Sequence, residues 1–269
     1  MIPKIIHYCW FGGNPLPELA LKCIDSWKKY FPDYEIKEWN ESNFDLNSCD
    51  YIKEAYQSKK WAFVSDYARF KILYEYGGLY FDTDVEIIKD MTKIVETGSI
   101  MGTEPTGGIA PGLGLGANPG LGLYKEILDY YDTIHFILPN GNLNQQTIVK
   151  YTTDILLKHG ELNSSAITEI EGIKIYPPEY FCPQNYYTGE MNITENTCSI
   201  HHYTASWHLP AAEFRRSRSL SRKQYLLSIP TGQSSRPTNR FSRFIHIMPD
   251  IAQTAFLKHV MTTAHCCRI

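Results

Sequence analysis

The segment Tyr80-Phe81-Asp82-Thr83-Asp84 follows two glycines and closes a short apolar stretch in two carboxylates. Desolvating a carboxylate that has no partner is very costly, so the two acids must face a cation or water. Mg²⁺ and Mn²⁺ take one or two protein carboxylates and fill their other positions with water and phosphate oxygens. The spacing of Asp82 and Asp84 therefore suits a divalent metal on a nucleotide diphosphate, although a solvated turn has the same pattern.

A second pair of charges, Asp66 and Arg69, lies three residues apart in the apolar segment 61–76. In a helix this spacing puts both side chains on one face, where a surface ion pair would contribute about 0.3 kcal/mol. The helix, however, leads directly into the glycine turn that delivers Asp82 and Asp84. We therefore predict that Asp66 and Arg69 reach into the same cleft and hold sugar hydroxyls.

The elements that must position these residues alternate between strand and helix from the start of the chain. Residues 4–10 read as a strand, apolar residues recur at helical spacing over 20–31, and 34–39 alternates as a second strand. A helix over 61–76 and a strand over 78–82 follow, separated by the glycines that commonly end helices. This order predicts an α/β fold with an open, largely parallel sheet, whose ligands lie at the carboxyl ends of the strands.

The rest of the chain is less regular. The glycine-rich stretch 105–122 is predicted to be a flexible loop, with helices from Asn118-Pro119 to about Tyr131 and from Asn144 to His159, and strands near 172–176 and 197–203. Composition changes at Arg215, and we predict two units, a catalytic domain over 1–214 and a basic tail over 215–269.

Composition favours a globular protein with one sizeable core, since 43% of the 269 residues are hydrophobic and 20% are charged. An apolar run of about 18 residues is missing and Met1 leads directly into a strand pattern, so we expect neither a membrane span nor a signal peptide, and a cytoplasmic location. Seven scattered cysteines, without a C-x-x-C pair, are expected to be reduced thiols.

Charge is divided unevenly along the chain. Residues 1–214 carry a net charge of −12 and residues 215–269 carry +9. No nucleic-acid recognition pattern accompanies the basic residues, so nucleic acid is not expected as a partner. An anionic membrane surface at the cytoplasmic leaflet fits better, with Arg215, Arg216, Arg218, Arg222 and Lys223 acting together.

Three segments, IPKIIHYCWFGG, SDYARFKILYEYGGLYFDTDVE and HHYTASW, resemble the bacterial members of glycosyltransferase family 32, which carry a sugar-binding region with a DXD motif. The resemblance is dense over residues 1–90 and returns at 198–208. The same segments are similar to the catalytic domains of the large clostridial glucosylating toxins. The resemblance implies a Rossmann-like GT-A fold, and retaining transfer of a hexose or N-acetylhexosamine from a nucleotide sugar, expected to be UDP-linked, with Mn²⁺ or Mg²⁺ on the diphosphate.

Site residues are implied by the same resemblance. Asp82 and Asp84 match the metal-binding pair, and Trp10 matches the tryptophan that stacks on the base, although by itself it reads as a core residue. Alternation along a strand lets only one of His201 and His202 point at a metal, and we favour His202. The catalytic residues are expected to be Asp66, Arg69, Asp82 and Asp84, and the donor-binding residues Trp10, Ser65, Asp66, Arg69, Tyr80, Thr83, Asn144, Ser206 and Trp207.

The implied acceptor is a glycan or a lipid-linked saccharide in capsular or other surface polysaccharide synthesis. Retention can arise by a covalent carboxylate intermediate or by front-face attack, in which the departing phosphate takes the proton of the acceptor hydroxyl. The sequence does not identify a nucleophile, and we favour front-face attack. Two alternatives remain open at the level of sequence. One is a toxin-like effector that glycosylates a protein, and the other is a sugar-nucleotide binder without turnover. The intact carboxylates and the pair Asp66 and Arg69 argue against the binder.

Overall fold

The computed structural model describes residues 1–186 and 188–204. In chain order the elements are β1 (Ile5–Cys9), α1 (Glu18–Tyr30), β2 (Glu35–Trp39), α2 (Asp50–Gln57), α3 (Trp61–Tyr76), β3 (Gly78–Tyr80), β4 (Val85–Ile87), α4 (Thr92–Val95), β5 (Ser99–Gly102), a 3₁₀ turn (Pro111–Leu113), β6 (Leu115–Ala117), α5 (Gly122–Tyr131), α6 (Ile148–Leu156), β7 (Thr168–Ile170), β8 (Ile173–Tyr176), α7 (Pro178–Phe181) and β9 (Ser199–His201). None of the helices in these ranges is long and apolar enough to cross a membrane. The basic tail, 215–269, and its boundary lie outside the described residues.

A seven-stranded sheet in the order β2-β1-β3-β6-β5-β8-β7 forms the centre of the described chain. Five of its strands run in one direction, while β6 and β7 run antiparallel to their neighbours. The first β-α-β unit is as predicted, because α1 connects β1 to the parallel strand β2. The predicted α/β class, with a largely parallel sheet flanked by helices, is confirmed.

The central strands β3, β5 and β6 are buried at every position, so both faces of the middle of the sheet are covered. Side chains alternate between the faces, so Leu79 and Phe81 join a core that includes residues of α1, whereas Tyr80 joins the core of α2, α3, α5 and α6. On β1, Cys9 likewise lies on the face that α3 covers. The alternation thus directs Tyr80 toward the charged side chains of α3.

The glycine-rich stretch 105–122 differs from the flexible loop that its composition predicts. It contributes β6 to the middle of the sheet, between β3 and β5. At Gly116 a Cβ would lie 2.9 Å from the side chain of Ile100 and 3.0 Å from that of Leu79. Glycine therefore leaves room for side chains of the two neighbouring strands. Because glycine weakens strand propensity, the local sequence conceals a strand that packing and pairing stabilise.

The strand predicted near 197–203 forms as β9 but does not join the main sheet. It pairs antiparallel with β4 in a separate two-stranded sheet, with His201 opposite Val85. This pairing brings a segment more than a hundred residues away to the strand that directly follows Asp84. A late part of the chain therefore borders the acidic motif.

The turn between α3 and β3 is held by a buried histidine of β1. Trp39 donates its indole N–H to His7 Nδ1 at 3.0 Å, so the ring proton is on Nε2, which donates to the carbonyl of Gly77 at 3.0 Å. Gly77 and Gly78 both have positive φ angles, of 63° and 99°, and a side chain at Gly78 would strike the carbonyl of Ile5. This contact places the start of β3, and hence the acidic motif, against β1.

Burial lowers the pKa of His7 to about 4. An unfolded chain binds a proton at its histidine near pH 6.5, so His7 contributes stability that is complete above that pH and is lost as pH falls toward 4. We expect the contribution to change by about 1.4 kcal/mol per pH unit in that window. Urea unfolding at neutral pH and near pH 5 should show a smaller acid-induced loss for His7→Gln than for the wild type; equal losses would contradict the assignment.

Candidate functional site

The two acids of the D-x-D motif lie in the short connection between β3 and β4, at the carboxyl end of β3. The amide of Asp82 donates to the carbonyl of Gly112 at 3.3 Å, and Val85 donates back to the carbonyl of Asp82 at 3.0 Å. β1 ends at the same edge, because β1 and β3 are parallel with His7 opposite Tyr80. The motif therefore occupies the position at which parallel α/β sheets bind ligands.

An ionic cluster, defined as Asp66, Arg69 and Asp82, joins α3 to this motif. Arg69 Nη2 lies 2.9 Å from Asp66 Oδ1 and 3.2 Å from Asp82 Oδ1. The side chain of Arg69 is only 4% exposed and that of Asp66 13%, so their pairing is not the surface ion pair that the spacing alone would allow. Arg69 Nε also donates to the carbonyl of Ser65 at 3.1 Å, and the guanidinium lies over the ring of Tyr80. One buried cation thus holds two carboxylates from different elements.

Both carboxylates of the ionic cluster have raised pKa values. Burial raises the pKa of Asp66 to about 7, since it outweighs the opposing effect of Arg69, and Asp82 adds to the rise. Burial also raises the pKa of Asp82, together with its neighbour Asp84, against the stabilising charge of Arg69. A bound cation would lower both pKa values, because it would favour the ionised form of each acid.

Asp84 has a different environment, supplied by the segment that follows β9. Its Oδ1 lies 3.1 Å from His201 Nε2, and its Oδ2 accepts hydrogen bonds from the amide and the hydroxyl of Thr204, at 2.9 and 3.0 Å. Burial by itself would raise the pKa of Asp84, but His201 and Thr204 together outweigh it and lower the pKa below its ordinary value. Asp84 is therefore ionised throughout the physiological range.

The histidine that contacts Asp84 is His201, and not His202, which was favoured as the metal ligand; the metal-ligand role itself stays a prediction. His202 Nε2 points to Glu86 Oε2, at 2.8 Å. The antiparallel pairing of β4 with β9 sets this outcome, since it places His201 opposite Val85. Alternation along β9 predicts that the two rings diverge, but it does not tell which one faces Asp84.

The donor set at the acidic pair fits a hard divalent ion. Asp82 is 29% exposed at its side chain and its Oδ2 accepts no hydrogen bond from the described residues, while Asp84 is ionised close by. Within the ranges 1–186 and 188–204, however, there is no group of three or more His, Cys, Asp or Glu side chains that would hold a metal by itself. Two carboxylates suffice for Mg²⁺ or Mn²⁺ when phosphate and water supply the other ligands.

Of the other residues predicted for the donor site, Trp10, Tyr80 and Thr83 lie at or just after the ends of strands, and Ser65 lies on α3. Trp10 directly follows β1, is partly exposed and donates its indole N–H to the carbonyl of Asn14 at 2.5 Å. Tyr80 is buried, and its hydroxyl donates to Asp82 Oδ1 at 3.1 Å. Thr83 is partly exposed between the two acids, and the hydroxyl of Ser65 donates to a carbonyl of its own helix. Tyr80 thus supports the motif directly.

Asn144 lies before α6 and has a local set of contacts. Its Oδ1 accepts from the Tyr151 hydroxyl at 3.2 Å and from the Gln146 amide, and its Nδ2 donates to the carbonyl of His135. These bonds order the connection before α6, and none of them joins Asn144 to the ionic cluster. Ser206 and Trp207 lie outside the described residues.

Two further residues contact the acidic pair without having been singled out by sequence reasoning. Thr204 donates twice to Asp84, and Gly112 lies against Asp82. Thr204 belongs to the resembling segment HHYTASW, so that segment offered a signal for it. Gly112 is one of many glycines in residues 105–122, and no sequence signal distinguished it from the others.

Comparison with known proteins finds a glycosyltransferase family model and two mannosyltransferases to which this chain is similar. Residues 17–100 match the family model described as the glycosyltransferase sugar-binding region containing DXD motif. Two curated relatives from Schizosaccharomyces pombe are inositol phosphoceramide mannosyltransferase 3, 39% identical over 88 residues, and inositol phosphoceramide mannosyltransferase 1, 28% identical over 115 residues. These alignments cover 31% and 39% of this chain, and 24% and 36% of the relatives, so the chain spans well under half the length of either.

Among solved structures, a glycosyltransferase involved in the glycosylation of the major capsid of PBCV-1 aligns with 81% of this chain and 100% of its own, at 13% identity and a TM-score of 0.44. The family match is more local, covering less than a third of the chain, but it contains the ionic cluster and both acids of the D-x-D motif. Residues 17–100, which include Asp66, Arg69, Asp82 and Asp84, therefore resemble the sugar-binding region of the DXD glycosyltransferases.

Proposed function

We propose that this protein is a metal-dependent glycosyltransferase that moves a sugar from a nucleotide sugar to a glycan or lipid-linked acceptor. The observation that carries the proposal is the ionic cluster of Asp66, Arg69 and Asp82, next to the ionised Asp84 at the carboxyl end of β3. These residues fall in the segment that matches DXD glycosyltransferases. A purely structural ion pair would not need a second carboxylate at the same edge.

Asp82 and Asp84 would hold a Mn²⁺ or Mg²⁺ ion, with His201 beside Asp84 as a candidate third ligand in place of His202. When bound, such an ion offsets the negative charge that develops on the departing diphosphate. Arg69 and the Tyr80 hydroxyl fix Asp82 Oδ1 from two sides, so this carboxylate is oriented before the donor arrives. Pre-organised charge of this kind costs no rearrangement during the reaction.

Asp66 and Arg69 are proposed to orient the donor sugar. The carboxyl of Asp66 has a pKa of about 7, so in a pH range around neutrality it either accepts a hydrogen bond from a sugar hydroxyl or donates one. Retention by front-face attack needs no additional base, because the leaving phosphate takes the proton of the acceptor hydroxyl. The anomeric configuration of an isolated product, read by NMR coupling constants, tests the retaining stereochemistry.

A donor panel is the direct test of the proposal. The purified protein is incubated with Mn²⁺ and one nucleotide sugar at a time, and free nucleoside diphosphate is measured. The panel holds UDP-glucose, UDP-galactose, a UDP-N-acetylhexosamine and GDP-mannose; the last is included because both curated relatives are named as mannosyltransferases. We expect metal-dependent release from one donor class, whereas binding of a donor without release would identify a non-catalytic binder.

Trp10 is predicted to contribute to donor binding through its indole ring. Its partial exposure at the end of β1 is the observation that supports this role. We expect Trp10→Ala to weaken binding of the free nucleoside diphosphate by about 1–3 kcal/mol, the range for a base stacked on an aromatic ring. Calorimetry gives the affinity. Unchanged affinity, or a collapse of the melting temperature, would assign Trp10 to packing instead.

The basic residues after position 214 are proposed to bind an anionic membrane surface. Polybasic segments gain about 1 kcal/mol per Lys or Arg near such a surface. We expect the full chain to sediment with anionic liposomes at low ionic strength and to be released as salt is added, because salt screens exposed charges. Replacing Arg215, Arg216, Arg218, Arg222 and Lys223 with serine should abolish sedimentation while nucleotide binding is retained. Equal sedimentation of both proteins would contradict the proposal.

A further inference from the structure

We propose that Gly112 is a positioning residue for Asp82: the absence of a side chain at this position lets the Asp82 carboxylate take the orientation that a metal ligand needs. The inference rests on the proposed function, because it concerns the same acidic pair. A Cβ built on Gly112 would overlap Asp82 Oδ2, at a distance far below the 3.0 Å that real Cβ atoms keep. The same Cβ would lie 3.2 Å from Asp82 Cγ and 3.3 Å from Arg69 Nη1.

The carboxylate of Asp82 is thus enclosed from two sides. Arg69 Nη2 and the Tyr80 hydroxyl contact Oδ1, at 3.2 and 3.1 Å, and the backbone of Gly112 lies against Oδ2. A rotation that moved Oδ2 away from a new methyl group would also move Oδ1 away from its two partners. Groups that ligate metals must be held to within about 0.5 Å of their productive geometry, so such a rotation is expected to weaken binding.

The segment around Gly112 is itself fixed, so it cannot withdraw to make room. Ala110 donates to the carbonyl of Gly102 on β5 at 2.9 Å, and Ile109 donates to the Thr153 hydroxyl on α6 at 2.9 Å. β6 begins two residues after the 3₁₀ turn and pairs with β3, which leads into the acidic motif. Hydrogen bonds to the sheet thus hold both the backbone around Gly112 and the backbone that leads to Asp82. The side chain of Asp82 is the part that would have to move.

Backbone conformation does not explain why glycine stands here. Many glycines of this chain have positive φ angles, but Gly112 does not, and alanine can adopt its backbone geometry. What an alanine would add is only the methyl group that meets Asp82 and Arg69. Gly122 is a matched control, since it also lacks a positive φ and a Cβ there would have no neighbour within 4 Å.

The test compares Gly112→Ala with Gly122→Ala in the full chain. Direct Mn²⁺ binding is measured by calorimetry or by electron paramagnetic resonance, without donor or acceptor. We expect Gly112→Ala to raise the Mn²⁺ dissociation constant at least tenfold and Gly122→Ala to leave it within twofold of the wild type. A Gly112→Ala protein that binds Mn²⁺ as tightly as the wild type overturns the proposal.

A thermodynamic cycle without metal separates positioning of Asp82 from a general packing defect. Gly112→Ala is made in the wild type and in an Asp82→Ala background, where the carboxylate that it would strike is absent. We expect the melting temperature to fall by several degrees in the first background and by much less in the second, where only the contact with Arg69 remains. An equal fall in both backgrounds overturns the positioning role. If the wild type binds no Mn²⁺, the proposed metal site fails, while the cycle still decides whether Gly112 acts on Asp82.

Discussion

Replacing either acid of the D-x-D motif with asparagine is expected to lower metal-dependent turnover at least about a hundredfold, because each change removes one of the two charges that would hold the ion. Asparagine keeps the shape of the side chain, so the fold should persist. The measurement is release of nucleoside diphosphate at saturating Mn²⁺, with the donor identified by the panel. Near-normal turnover of Asp82→Asn or Asp84→Asn would refute the metal assignment.

The two substitutions are expected to differ in their effect on stability. The pKa of Asp84 lies below its ordinary value, so its ionised form stabilises the folded chain at neutral pH, and that contribution is lost only as pH falls through the folded-state pKa. Asp84→Asn should therefore lower the melting temperature at pH 7. The pKa of Asp82 is raised, so Asp82→Asn removes a charge that folding does not favour, and it should cost less.

A matched control for these substitutions is Asp129→Asn. Asp129 pairs with Lys125 one turn earlier on α5, and both side chains are more than half exposed. Exposed pairs of this kind contribute little, and α5 contributes no residue to the ionic cluster. We expect Asp129→Asn to retain both turnover and melting temperature, which would show that loss of an aspartate charge alone does not inactivate the protein.

Replacing Arg69 with methionine is expected to destabilise the protein by about 3–5 kcal/mol at pH 7, because the mostly buried Asp66 and the partly buried Asp82 would then lack their shared cation. The pKa values of Asp66 and Asp82 are already raised by burial, and without Arg69 they would rise further. Acids with raised folded-state pKa values stabilise the fold at low pH and lose that contribution as pH increases. The cost of Arg69→Met should therefore be smaller near pH 5 than at pH 7.

Urea unfolding at the two pH values measures this cost. Lys71→Met on the same helix is the control, because Lys71 pairs with Glu75, their side chains are 33% and 43% exposed, and such a pair should contribute at most about 1 kcal/mol. Arg69→Lys should give an intermediate loss, since lysine keeps the charge but cannot contact Asp66 and Asp82 with one planar group. A loss under about 1 kcal/mol for Arg69→Met, or an equal loss at both pH values, would show that the ionic cluster is not the buried network described above.

The elements nearest the acidic motif were predictable because their signals are local. The apolar spacing of 61–76 and the two glycines after it predict α3 and its end, and the structure has the same helix, Trp61–Tyr76. The i to i+3 spacing of Asp66 and Arg69 likewise predicts their shared face. Periodicity and turn residues report on neighbours a few positions apart, and such contacts form whatever the rest of the chain does.

Other features depend on long-range pairing and could not be read from local patterns. β6 reads as a glycine loop, because its strand character comes from pairing with β3 and β5 and from the lack of space at Gly116. The residues 50–57 also form a helix that the sequence reasoning left unassigned. Contacts across the sheet can override weak propensity, which is why such elements appear only in the folded chain.

The sequence by itself determined which charged groups the candidate site offers, since the carboxylates of Asp82 and Asp84 and the cation of Arg69 follow from residue type and local spacing. Only the tertiary structure decided their partners. The pairing of β4 with β9 places His201, and not His202, beside Asp84. The segment before β6 places Gly112 in contact with Asp82. These contacts join residues that are distant in the chain, and their register is set by the sheet hydrogen bonds and the packing of both faces, neither of which leaves a periodic signal in the sequence.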